Sequence, residues 1–187
     1  MRLFGLVLFV AGAAAVWVIL GSVIRDWLNG LPVATPFSVV WITCLIGGLS
    51  AVSGAMVFVR LVIRPEEPPT SADTRAPDRN TRLWCRWLHA SALGGYLIPF
   101  AHIALPVIIW LSKRHLHPFV DANGRAAFNF QISTTLLALI GLFFSVFVIG
   151  LLAMVAVAIM HLIMTLVAAR RATRCELPAF PLTINVF

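Results

Sequence analysis

From Ala127 to Ala169 the chain carries no Asp, Glu, Lys or Arg. One soluble helix of that length would need a polar face, so the stretch reads as two bilayer crossings of roughly 20 residues each. The turn between them is expected near Gly150. Apolar runs also fill residues 3–24, 37–59 and 88–111, and the charge-free stretch divides into 127–149 and 151–169. The first run follows Arg2 as a signal peptide would, but it stays apolar through Val16–Leu20, past the Ala13–Ala15 stretch where cleavage would fall, and reads as a retained anchor. Between the second and third runs lies the one hydrophilic stretch, Arg64 to Arg86, with Pro65, Pro68, Pro69 and Pro77 among Ser, Thr, Asp and Glu. No apolar periodicity crosses 65–80, which marks a flexible linker. The expected organisation is a transmembrane helical hairpin over 1–64, a Pro-rich linker over 65–82 and a membrane domain over 83–187, without an internal repeat.

The basic residues decide how the third run is read. If all five runs cross, Arg2, Arg60, Arg64, Arg75, Arg79, Arg82 and Arg86 face Arg25, Lys113, Arg114, Arg125, Arg170, Arg171 and Arg174, seven against seven. The positive-inside rule disfavours such a balance. If 88–111 enters and leaves by one face, the division is thirteen against one, with Arg25 alone outside beside Asp26. Pro99 and Pro106 interrupt that run, Gly94 and Gly95 precede them, and His102 lies between. Proline removes a backbone donor and clashes with the preceding turn, so two short half-helices are expected. The predicted fold is an all-α integral membrane protein with four transmembrane helices plus a re-entrant broken helix pair, both termini cytoplasmic at the inner membrane. Five transmembrane helices are the alternative.

Composition agrees: 60% of residues are hydrophobic, 11% charged, and the mean hydropathy is +0.96. That excludes a water-soluble globular enzyme. The net charge of +7 comes from residues at the ends of apolar runs, where it attracts anionic lipid and gives no reason to expect nucleic acid. Cys44, Cys85 and Cys175 are too scattered for a zinc site or disulfide framework. Trp84 and Trp87, Trp110, and Trp27 with Trp41 stand where interfacial anchors belong; Trp17 alone is deep.

Gly47, Ala51 and Ala55, and in parallel Ser50 and Gly54, recur at a spacing of four and form small-residue faces for close helix packing. Their partner is residues 3–24, offering Gly12 to Ala15, or a second copy. His102, Asn129, Gln131 and His161 are the polar groups of the membrane domain, and intramembrane polar side chains are functional candidates. The plainer reading is that they hydrogen-bond across helices, each worth about 1 kcal/mol. Asn129 and Gln131 begin the fourth run, where they could be interfacial, whereas two deep histidines admit a proton relay or a bis-imidazole haem. No ligand pattern supports the haem, and no cofactor is expected. His115 and His117 are weak as a metal pair. Phe119, Val120, Asp121, Arg125, Phe128 and Phe130 suggest an interfacial helix leading into the fourth run. There is no nucleophile–base pair, phosphate loop or acid pair, so hydrolase chemistry is not expected.

The stretches HASALGGYLIPFAHIALPVIIWLSKR and HPFVDANGRAAFNFQIS, with the closing PLTINVF, carry a resemblance. They resemble a widespread bacterial multi-span membrane domain of unknown function, itself related to the small multi-span subunit of the chloroplast inner-envelope (Tic) protein-import translocon. The likeness covers roughly Leu83 to Phe187. Its motif positions are Tyr96, Ile98, Pro99 and Phe100; then Pro118, Phe119, Val120, Ala127, Asn129, Phe130 and Gln131; then Pro181, Leu182, Thr183 and Ile184. The resemblance implies four spans with both ends on one side, two of them compressed here into 88–111. It transfers no import role. The function expected is that of a non-enzymatic accessory, assembly or scaffold subunit acting through protein contacts in the bilayer, with a membrane-protein partner or a second copy. The alternative is a small transporter or channel-like module whose polar path uses the broken 88–111 segment.

Overall fold

The structure is a computed structural model that describes residues 2–33, 35–62 and 76–186, and among these every regular element is helical. The helices are α1 (Arg2–Leu28), α2 (Phe37–Val62), α3 (Arg79–Ala90), α4 (Ala101–Lys113), α5 (Pro118–Phe143) and α6 (Val148–Thr173). Four of them, α1, α2, α5 and α6, are long and apolar enough to cross a membrane. By internal contacts the chain forms two compact units, Met1–Ile63 with Leu136–Met154, and Arg64–Thr135 with Val155–Phe187. The far halves of α5 and α6 therefore group with α1 and α2, and the near halves with α3 and α4. Residues 65–75 of the expected linker lie outside the described residues; Arg79 to Arg82, read as its end, already open α3.

In the first unit α1 ends where Gly30 adopts a positive φ of 65°, which lets the Leu31 amide reach back to the Asp26 carbonyl at 2.9 Å. The two helices then touch backbone to backbone. A Cβ on Gly5 would lie 2.6 Å from the Phe58 nitrogen, one on Gly12 would strike the Gly47 carbonyl, and one on Gly54 would strike Phe9 and Gly5. Gly47, Ala51, Gly54 and Ala55 are buried in this contact, and Ser50 meets Gly12. The small-residue faces are thus used within the chain. Near the α1–α2 connection Trp41 donates its indole N–H to the Leu142 carbonyl at 2.8 Å, satisfying one of the last acceptors of α5.

The α5–α6 turn lies earlier than expected. It is a 3-10 turn over Phe144–Val146, closed by extended Phe147, and Gly150 sits inside the first turn of α6. Glycine is needed there because a Cβ would strike the Phe144 carbonyl.

The third apolar run is broken around Pro99, whereas Pro106, expected as a second interruption, lies inside unbroken α4; the first limb begins well before residue 88. Asp78 caps α3 by accepting from the Thr81 amide at 2.8 Å, and the Thr81 side chain first, then this amide, hold its carboxyl below the usual range. After α3 the chain tightens into a 3-10 stretch over Ser91–Tyr96, reverses through Leu97–Phe100 with Phe100 left-handed at φ 64°, and returns as α4. Thirteen residues of α4 reach only about 20 Å, short of a ~30 Å core. The return brings Lys113 Nζ to 4.4 Å over the Trp84 ring, so both limbs end at one place. This is the geometry of a re-entrant pair.

Candidate functional site

Helix α5 organises the second unit. From Ala127 to Thr135 every residue is buried, so its polar side chains must find protein partners on all sides. They do so in layers. Nearest the start of α5, Asp121 Oδ1 accepts from the Trp110 indole at 2.9 Å while its Oδ2 takes Arg125 Nε at 2.7 Å. A Cβ on Gly124 would collide with the Trp110 ring, which is fully buried. Trp110 is therefore a core residue and not an interfacial anchor. The expected interfacial helix over 118–130 is likewise the beginning of α5 itself, with Val120, Asp121 and Asn123 buried. Pro118 opens the helix, and His117 Nδ1 accepts from the Phe119 amide at 3.0 Å.

In the next layers Cys85, Val120 and Ala172 pack together with Phe119 against them, and His89 Nε2 lies 2.9 Å from Asn123 Oδ1. Burial pushes the Cys85 thiol up to about 12, with a smaller contribution from nearby Cys175. A thiol so held is inert. We expect maleimide to label exposed Cys175 in the folded protein and Cys85 only after denaturation, as read by mass spectrometry. Equal labelling of both in the native state would show that α3 does not seat against α5 and α6.

Deeper, three of the four sequence candidates meet. Gln131 Oε1 lies 2.8 Å from His161 Nε2, His102 Nε2 lies 2.8 Å from Thr135 Oγ1, and the two imidazoles are edge to face at 5.9 Å. Tyr96 completes the group, its hydroxyl 3.2 Å from His161 Nδ1 and 2.7 Å from the Ala158 carbonyl. Phe130 stacks on His161 at 5.8 Å. Gln131, expected at an interface, is 2% exposed. Thr135 donates to the Gln131 carbonyl at 2.6 Å, so it accepts from His102. The Tyr96 hydroxyl has one hydrogen, and while that goes to Ala158 its oxygen can only accept from His161 Nδ1. His161 Nε2 then needs a donor, supplied by turning the Gln131 amide over or by a second proton on the ring. A haem does not fit between the histidines: both Nε2 atoms are in hydrogen bonds and the rings touch. Among the described residues no group of three His, Cys, Asp or Glu could hold a metal.

The fourth candidate, Asn129, faces elsewhere. After α6 the chain reverses at Cys175, φ 61°, and lies back along α5 as an irregular strap. Asn129 Oδ1 accepts from the Val186 amide at 3.1 Å and Ser133 Oγ from the Ile184 amide at 2.8 Å, while Phe180 stacks on Phe130 at 4.2 Å. Pro178 and Pro181 have no amide hydrogen to satisfy. Pro99 lies in the hairpin tip. His89, Asn123, Ser133 and Thr135 escaped the sequence reading. The signal for two of them was present as a spacing of four on α5, Asn123–Ala127–Gln131–Thr135.

Four membrane-length helices, a returning half-helix pair and an interior of paired polar groups define a multi-span helical membrane protein. Residues 80–187, from α3 through the strap, match the MamF/MmsF family model, described as the magnetosome magnetite crystal formation protein family. The chain belongs to that family. No curated protein and no solved structure matches it.

Proposed function

We propose that the protein is a non-enzymatic accessory component of the membrane in which a magnetite crystal grows, acting through its folded membrane domain and the partners that domain holds. The family assignment supports the setting, and one structural observation carries the role. Along α5 each polar side chain that faces a neighbour is spent on holding it: Asn123 on His89, Asn129 and Ser133 on the strap, Gln131 on His161, Thr135 on His102. Side chains committed in this way build a scaffold. The likeness to a translocon subunit contributes the expectation of a four-span frame and no import role. The thirteen-to-one division of basic residues supports a cytoplasmic position for the α3–α6 basic end and for both termini.

The test is deletion in a magnetite-forming host, with crystal size measured by electron microscopy and the gene restored on a plasmid. Smaller or fewer crystals on deletion, rescued by the wild-type chain, are expected; unchanged crystals would remove the proposal. The second reading, a proton-handling module, draws on the unresolved hydrogen of the Tyr96–His161–Gln131 chain. His161→Leu separates the two. The scaffold reading expects a loss of about 1 kcal/mol in stability and full rescue of crystal size. Failure of a stably folded His161→Leu to rescue would favour proton handling.

A further inference from the structure

Helix α5 gives a ruler for depth. Arg125 and Arg170 are the last cations before the charge-free interiors of α5 and α6. Asn129 and Ser133 follow Arg125 by four and eight residues, about 6 and 12 Å further along the helix. The strap held by those two side chains therefore lies within the hydrocarbon layer, whose half-thickness is ~15 Å. Irregular backbone at such depth persists only where protein buries it or water reaches it. Yet Leu182, Ile184 and Asn185 are exposed, and Asn185 carries a carboxamide. Elsewhere in the same unit two buried donors, Thr165 Oγ1, one turn from His161, and Arg114 Nη1, have no hydrogen-bond partner among the described residues. The C-terminal end of α4 and the ends of α5 and α6 that join this unit carry Lys113, Arg114, Arg125, Arg170, Arg171 and Arg174 against Asp121 and Glu176.

We propose that the strap forms one wall of a water-filled vestibule that opens at this cationic end and reaches the level of Ser133. Water would serve the strap's outward polar groups, and the cationic rim would admit small anions in preference to cations. This stands independently of the role in crystal formation.

The experiment uses the full-length chain in its own membranes, opened so that reagent reaches both sides, with Cys44, Cys85 and Cys175 replaced by alanine. Single cysteines are placed at Asn185, at Thr183, at Glu176 beside the hinge, and at Ile159, an exposed apolar position of α6. An anionic methanethiosulfonate that does not enter lipid should modify Asn185→Cys within about tenfold of the rate at Glu176→Cys, and leave Ile159→Cys untouched. Thr183→Cys repeats the test should Asn185→Cys fail to fold. Modification at the strap by N-ethylmaleimide but not by the anion would mean lipid contact, and protection from both would mean a protein cover. Either result overturns the vestibule.

Discussion

Replacing Trp110 with alanine should lower the stability of the α3–α6 unit by about 3–5 kcal/mol. The ring is completely buried, fits where Gly124 leaves no Cβ, and lies 6.3 Å from the Phe128 ring. Truncation leaves a cavity that these close neighbours cannot fill, and removes the donor held by buried Asp121. Arg125 would still pair with that carboxylate, so the loss should fall short of exposing an isolated charge. Trp110→Phe separates the two contributions, since it keeps most of the volume and forfeits only the hydrogen bond, for about 1–3 kcal/mol. Unfolding in a graded detergent–SDS titration reads both. An alanine variant within about 1 kcal/mol of wild type would mean that Trp110 is not the core residue described.

Leucine at Gly12 or Gly54 should separate α1 from α2, at a cost of about 3 kcal/mol or more. At each position the new side chain meets backbone of the facing helix, which cannot swing aside as a rotamer can. In lipid, where apolar surface gains nothing by leaving its solvent, close packing is most of what pairs two helices. Gly21 is the internal control, because no atom lies within 4 Å of a Cβ there. Gly21→Leu should be neutral in the same titration. Equal damage at all three would point to helix propensity or lipid contact as the cause, and not to the α1–α2 seam.

Much of the frame was legible because lipid simplifies the reading. Length and apolarity alone marked α1, α2, α5 and α6, and Pro99 marked a broken third run, while Pro106 is carried inside α4 without a break. What failed was whatever depended on partners. Trp110 looked interfacial because tryptophans at run ends usually are, but the neighbouring Gly124 gave its ring a slot. The turn was assigned to Gly150 on composition, whereas that glycine is there to let the turn at Phe144–Phe147 close against α6. His102, Gln131 and His161 were found because polar residues inside apolar runs are conspicuous. Asn123 was overlooked because it stands among other polar residues, where nothing signals burial, and His89 because it stands at the very start of the 88–111 run, close to Arg86. The role of Asn129 was out of reach, since a strap without secondary structure leaves no period in the sequence.

The polar inventory of α5 also bears on how the chain enters the membrane. From Pro118 to Thr135 it brings Asp121, Asn123, Arg125, Asn129, Gln131, Ser133, Thr134 and Thr135, and it is the least apolar of the four membrane-length helices. Alone in the insertion machinery it would partition poorly. Strongly apolar α6 follows after only a short turn, and the partners for His161, Ile184 and Val186 lie on α5 itself. We expect the pair to leave the ribosome-bound insertase together as a hairpin, with α5 waiting at the lateral gate until α6 emerges. In a chain started at Arg79, so that α1 and α2 do not anchor it, a nascent chain stalled before Val148 should then remain extractable by alkaline carbonate, and one stalled beyond Thr173 should not.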